Sequence, residues 1–382
     1  MSEPRPAAPL MKDMLGEAAL GVIAAAGAAA AASTAAATAA ATSGRFDHDG
    51  FLETARAGLA SLSIMERVRH IADALAAALP PAYPEALEIV VAMGPHLGHA
   101  FQAVAVTEFV ARRGLDHFDL SMAALARLTR HGTAEFAVRP FLAADPARTL
   151  DTMLEWSGHE DAHVRRLASE GCRPRLPWAG RIPALTADPT LAAAILERLK
   201  ADPSLYVRKS VANHLNDIAK DAPDWVVARL GQWPQDDART RWIVRHALRT
   251  LIKHGDPRAL ALIGAGHGAE VTPGEFTVTP ARLRLGGEIT IAAELTSTGR
   301  DVQRLVVDYR LHYARPSGKS AAKVFKLRTF DLAAGETVRL AIRQTIRDFS
   351  TQRHHPGVHA IDLLVNGKAV ARGEFVLEQD LP

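Results

Sequence analysis

Near residue 270 the apolar pattern of this 382-residue chain changes period. Before that point, apolar residues recur every three or four positions, as in Ile64, Val68, Ile71, Leu75 and Leu79, with Arg67, Arg69 and Asp73 on the opposite side. Helices are also predicted over 104–113, 121–130, 133–143, 147–156, 162–171, 190–200, 204–219 and 240–254. Asp-Pro pairs at 145–146, 188–189, 202–203 and 256–257 punctuate them, as expected where one helix starts after another ends. After the change, Leu305, Val307, Tyr309, Leu311 and Tyr313 alternate with Val306, Asp308, Arg310 and His312. Asn366-Gly367 lies between two strand-like runs, the signature of a type I′ hairpin. About seven short strands are expected, enough for a sandwich of immunoglobulin type. No single packed layer serves both periods, so a helical domain followed by a β domain is required.

The helical part repeats itself. His163-Val164-Arg165-Arg166-Leu167-Ala168, Tyr206-Val207-Arg208-Lys209-Ser210-Val211 and Ile243-Val244-Arg245-His246-Ala247-Leu248 align without gaps, at spacings of 43 and 37 residues. That is close to the ~40–47 residues of HEAT-type helical pairs. Phe136-Ala137-Val138-Arg139 reads as a degenerate fourth copy. The expected fold is mainly α: a HEAT-like helical-repeat solenoid over 45–268, then a small all-β immunoglobulin-like sandwich over 269–382. Residues 1–44 form an Ala-rich, low-complexity N-terminal extension, with 16 alanines among residues 18–42. Alanine contributes too little transfer energy for a convincing membrane span, and the mixed charge of the first residues does not suit a secretory signal. A cytoplasmic monomer without a membrane partner is expected. The single cysteine, Cys172, excludes an intrachain disulfide framework and any Cys-rich zinc site.

Charge is unevenly distributed although the net value is only +3. Residues 1–162 carry 12 basic and 19 acidic groups, whereas 163–258 carry 17 and 10. A basic block on a repeat array suits a polyanionic partner. Two familiar motifs fail on context. His159-Glu160-Asp161-Ala162-His163 matches H-E-x-x-H, but Asp161 reads as the N-cap of the following helix, so the two histidines do not share a helical face. Gly318-Lys319-Ser320 resembles the end of a P-loop without its first glycine or following helix, and reads as a basic hairpin loop. No metal or cofactor is expected.

Residues 163–181 hold the densest chemistry: Arg165, Arg166, Arg173, Arg175 and Arg181 with Glu170 as the one carboxylate among them. Two readings stand at this level. Arg166 and Glu170 form an ordinary i,i+4 pair on a solvated helix, or arginines hold phosphates around a carboxylate that does chemistry. Trp178 by itself suits a core plug as well as a stacking platform. In the next repeat Asn213 takes the place of Glu170, with Asp217 one turn on. An acid on a basic face suggests a cationic target or a water to position.

These residues resemble a known family, the AlkC-type alkylpurine DNA glycosylases. The resemblance rests on Arg67-Val68-Arg69-His70-Ile71, Tyr83 to Leu87, Glu135 to Leu142, Val164 to Trp178, and Tyr206 to Asp217. It implies hydrolysis of the N-glycosidic bond of cationic alkylated purines, chiefly 3-methyladenine, in duplex DNA, without extruding the base. It also implies a catalytic cleft made by Glu135, Glu170 and Asp217, with Trp178 contacting the lesion. Glu170 is the expected stabiliser of the sugar cation. Arg165, Arg166, Arg173, Arg208, Lys209 and Arg245, with Asn213, are then the DNA-binding groups, and Arg315 and Lys319 of the β-domain hairpin add to them. Without the resemblance, a non-catalytic DNA-binding or protein-binding HEAT-repeat scaffold remains the alternative.

Overall fold

The computed structural model describes residues 10–38, 46–266, 268–315, 321–348 and 353–378. Helices come first: α1 (Glu17–Thr38), α2 (His48–Arg56), α3 (Ile64–Ala78), α4 (Tyr83–Met93), α5 (Ala100–Arg113), α6 (Phe118–Leu128), α7 (Arg139–Ala144) and α8 (Pro146–Trp156). They continue as α9 (Ala162–Glu170), α10 (Pro183–Ala187), α11 (Ala193–Arg198), α12 (Leu205–Ile218), α13 (Pro223–Gly231), α14 (Ala238–Ala247), α15 (Arg249–Lys253) and α16 (Pro257–Leu262). The strands are β1 (Val271–Thr279), β2 (Arg282–Leu283), β3 (Glu288–Ser297), β4 (Gln303–Tyr313), β5 (Ala321–Leu332), β6 (Thr337–Thr345), β7 (Gly357–Val365) and β8 (Lys368–Leu377).

The Asp-Pro pairs act largely as their chemistry demands. Asp145 and Asp256 cap α8 and α16, accepting from backbone N–H groups that have no partner inside the helix, and the following proline fits the first turn. Asp161 likewise accepts from the N–H of His163, so the H-E-x-x-H motif straddles the start of α9.

Three expectations change. The Ala-rich segment is not an appendage. Leu20, Ile23, Ala24 and Ala30 of α1 are fully buried, and α1 packs on α2 and α4. Small side chains allow that approach: a Cβ on Gly27 would lie 2.6 Å from the Phe46 ring. With the turn before it, α1 is long and apolar enough to cross a membrane by composition, but its apolar side is already covered by protein.

The predicted helix over 133–143 forms only from Arg139, because Pro140 belongs in a first turn and not in a helix interior. Residues 135–138 are a turn, so Phe136 to Arg139 is no fourth copy of the repeated helix.

The third copy is displaced by one helical turn. Arg165 donates to the carbonyls of His159 and Glu160, and Arg208 to those of Asp202 and Pro203, the two residues before each N-cap. The residue that repeats this is Arg241, which donates to the carbonyl of Asp236 just before the capping Asp237. In that register Thr240, Ile243 and Val244 are buried as Val164, Leu167 and Ala168 are.

The chain divides into two compact units. The first runs to Ala222 and takes in Asp236–Ile243; the second comprises Pro223–Gln235 and the chain from Val244 onward. The change from helix to strand thus falls between Leu262 and Val271, but the last helices group with the strands. In the second unit a three-stranded sheet, β1-β3-β6, faces a five-stranded sheet, β2-β8-β7-β4-β5, with β2–β8 the parallel pair. Ile289, Ile291, Tyr309, Leu311, Ile361 and Phe375 fill one part of the core, and Leu295, Leu305, Val307, Leu340 and Leu363 the other. Asn366 and Gly367 both have positive φ, 46° and 78°, as a type I′ turn requires. A Cβ on Gly367 would lie 2.2 Å from the Cα of Gly255, so the hairpin tip packs backbone to backbone on the turn before α16.

Candidate active site

Helices α9 and α12 lie side by side in the first unit, joined by the buried stripes Val164, Leu167, Ala168 and Val207, Val211, Leu215. Each brings a carboxylate in at its C-terminal end: Glu170 is the last residue of α9, and Asp217 lies one residue before the end of α12. The third, Glu135, comes from the turn ahead of α7. All three are buried, at 5%, 3% and 8% exposure. An ionised carboxylate buried to that degree needs cationic or hydrogen-bonding partners.

Two arginines supply them. Arg166 places Nη1 2.6 Å from Glu135 and Nη2 3.6 Å from Glu170. Arg173 places Nη1 2.5 Å from Glu170 and Nη2 2.7 Å from Asp217, while its Nε donates to Asp217 at 2.9 Å. Lys220 closes the series on Asp217 at 3.2 Å. Acid and base therefore alternate from Glu135 through Arg166, Glu170, Arg173 and Asp217 to Lys220. Burial alone would lower the pKa of Arg166, but Glu135 and Glu170 outweigh it and the net shift is upward. Glu170 and Asp217 do the same for Arg173. Both guanidiniums are thus fixed positive charges.

The sequence readings of Arg166 and Glu170 merge here, because the i,i+4 pair exists but is buried and extended to Glu135. Arg166 and Arg173 are placed differently from the rim expected of them, with their guanidiniums engaged by carboxylates. Arg165 and Arg208 are also held within the protein, Arg165 on Asp202 at 2.7 Å and both on loop carbonyls. Lys209, Arg245 and Arg315 are exposed, and Asn213 is half-buried. Lys319 lies outside the described residues.

Trp178 is 55% exposed, so it is not a core plug. Its backbone has φ +65°, a left-handed conformation that bulky residues seldom adopt. The N–H of Ala179 donates to the carbonyl of Leu176, closing a turn with Pro177 and Trp178 at its centre. Proline followed by a residue of positive φ is the pattern of a type II turn, whose third position usually holds glycine. A tryptophan held there bears a cost of about 1–3 kcal/mol. Its ring lies 5.9 Å from that of Phe101.

Sequence reasoning missed Thr133 and Tyr206. The Thr133 hydroxyl donates to Glu135 at 2.7 Å and accepts from Arg166 at 3.0 Å, bracing that ion pair. The Tyr206 ring lies 4.9 Å from the Arg166 guanidinium, and burial raises its hydroxyl pKa. Tyr206 occupies the place of His163 in the repeat alignment, which was the available signal; Thr133 gave none.

Residues 129–251 match the family model described as DNA alkylation repair enzyme, and 272–379 match the C-terminal Ig-like domain of an uncharacterised protein, YhaZ. The chain is 39% identical over 324 residues to the uncharacterised YhaZ of Bacillus subtilis, covering 85% of this chain and 90% of that one. It is 46% identical to Pseudomonas fluorescens alkylpurine DNA glycosylase AlkC, solved bound to DNA containing an abasic site analog. That likeness has a TM-score of 0.90 and covers 97% of this chain and 100% of the other.

Proposed function

The chain belongs to the AlkC-type family of DNA alkylation repair enzymes, and on that premise we propose that it is a monofunctional DNA glycosylase. Its substrates are cationic alkylated purines in duplex DNA, chiefly 3-methyladenine, and its product is an abasic site. The observation that carries this is the alternating chain from Glu135 to Lys220, which leads from Glu170 directly into the loop presenting Trp178. A 3-alkyladenine already bears positive charge, so its departure needs little acid catalysis. The sugar left behind develops oxocarbenium character, and preorganised negative charge nearby lowers the energy of that state.

Glu170 is the group assigned to that task, with Asp217 and Glu135 as supporting carboxylates and orienters of the attacking water. Arg166 and Arg173 hold the acids in place. Trp178 meets the positively charged lesion through its ring face. The base is not drawn into a pocket. Lys209, Arg245, Arg315 and Lys319, with Asn213, contact the duplex. A non-catalytic scaffold would not need a strained, exposed tryptophan on the loop leaving a buried carboxylate.

The test is release of 3-methyladenine from methylated duplex DNA. Wild type is expected to release it, and Glu170→Gln to lose the activity by about 100-fold or more, the scale of a preorganised electrostatic group. Equal release by Glu170→Gln would overturn the mechanism, and no release by wild type would overturn the function.

A further inference from the structure

We infer that Arg139 is a positioning residue for Trp178, fixing both ends of the loop that presents it; this rests on the reading of Trp178 as the lesion contact. Arg139 opens α7 and is buried, at 6% exposure. Among the described residues it pairs with no carboxylate. Nη1 donates to the carbonyls of Gly171 at 3.0 Å and Arg173 at 2.9 Å, and Nη2 donates to the carbonyl of Gly180 at 2.5 Å. Two acceptors lie before Trp178 in sequence and the third lies after it, so one planar cation closes the loop. A guanidinium suits this because its donors are set in a rigid fork; a lysine offers a single charged point.

Of the loop's other restraints, the buried and ion-paired side chains precede Trp178, and the turn bond from the Ala179 N–H to the Leu176 carbonyl spans it. Leu176 is buried, Arg173 is held by Glu170 and Asp217, and Arg175 pairs with Asp221 at 2.5 Å. Beyond that turn bond, the carbonyl of Gly180 is held by Arg139. A residue at φ +65° relaxes unless the surrounding chain prevents it. Arg139 therefore keeps the indole in its exposed position. It also couples that position to the catalytic acids, since it binds the carbonyl of the same Arg173 whose side chain carries Glu170 and Asp217.

The test uses full-length protein labelled with 5-fluorotryptophan, the Trp178 resonance being identified by its loss in Trp178→Phe. In Arg139→Lys that resonance is expected to shift or broaden, while those of the other tryptophans stay in place and report an intact fold. Single-turnover excision is expected to fall about tenfold to a hundredfold, as for misplacement of a contact group. Adding Arg139→Lys to Trp178→Ala should cause little further loss. An unmoved Trp178 resonance, or an Arg139→Lys effect of equal size with and without Trp178, would overturn the inference. If Arg139→Lys disturbs the reference resonances, Arg139→Gln, which is neutral and can still donate, is read by the same criteria. Undiminished excision by Trp178→Ala would instead overturn the role of Trp178, and the fluorine shift would still report on Arg139.

Discussion

Glu170 and Asp217, 47 positions apart in the sequence, share one buried cation: Arg173 reaches Glu170 through Nη1 and Asp217 through Nη2 and Nε. The two acids are therefore one electrostatic unit. A change at either end alters the field at the other.

Replacing Arg173 with Met leaves two buried carboxylates short of their main cation. Breaking a buried charge pair typically costs about 3–5 kcal/mol. Arg173→Met is thus expected to lower stability by that order in denaturant unfolding and to abolish excision, while Arg173→Lys recovers part of the stability.

Trp178 should show stability and function in opposition. A glycine adopts φ +65° without the cost a tryptophan bears, and the ring it replaces is mostly solvent-exposed. Trp178→Gly is expected to unfold no more easily than wild type, with a gain of up to about 1 kcal/mol, yet to excise at a small fraction of the wild-type rate. A clear loss of stability would show the ring to be structural.

Exposed and internal cations should separate in salt dependence. Lys209→Ala, Arg245→Ala and Arg315→Ala are each expected to weaken DNA binding and to reduce the log K against log salt slope by about one unit. Arg165→Ala and Arg208→Ala should leave that slope nearly unchanged and lower thermal stability instead, because their guanidiniums hold the loops before α9 and α12.

His214 sets an acid-side stability limit. It is fully enclosed, with Nδ1 3.0 Å from the Ser169 carbonyl, and burial followed by the charge of Arg173 pushes its pKa down to about 3. The folded protein keeps this imidazole neutral while the unfolded chain binds a proton below about pH 6.5. Stability from this group is complete above that pH and is lost progressively as pH falls towards 3, by a few kcal/mol in total. His214→Gln should flatten the slope of unfolding free energy against pH between 6 and 4. An unchanged slope would assign acid sensitivity to other groups.

The two-part architecture was legible because each half repeats its own period along the chain, and periodicity is a local property. The caps at Asp145, Asp161 and Asp256, and the Asn366-Gly367 turn, were legible for the same reason. The resemblance placed Glu135, Glu170, Asp217 and Trp178 among the functional groups, but it did not show how their charges are balanced. Arg166 and Arg173 read as phosphate ligands from composition. Only packing of α9 on α12 and on the turn at 135–138 reveals that their guanidiniums meet carboxylates.

The sequence by itself determined that a helical part precedes a stranded one, the presence of a repeated helix, and the pool of charged and aromatic groups available to a site. Tertiary structure decided the rest. It set the register of the third repeat, the burial of the Ala-rich helix, the partners of each arginine and the exposure of Trp178. These depend on contacts between residues tens of positions apart, whose energies arise from desolvation and charge pairing in three dimensions. No local pattern in the chain encodes them.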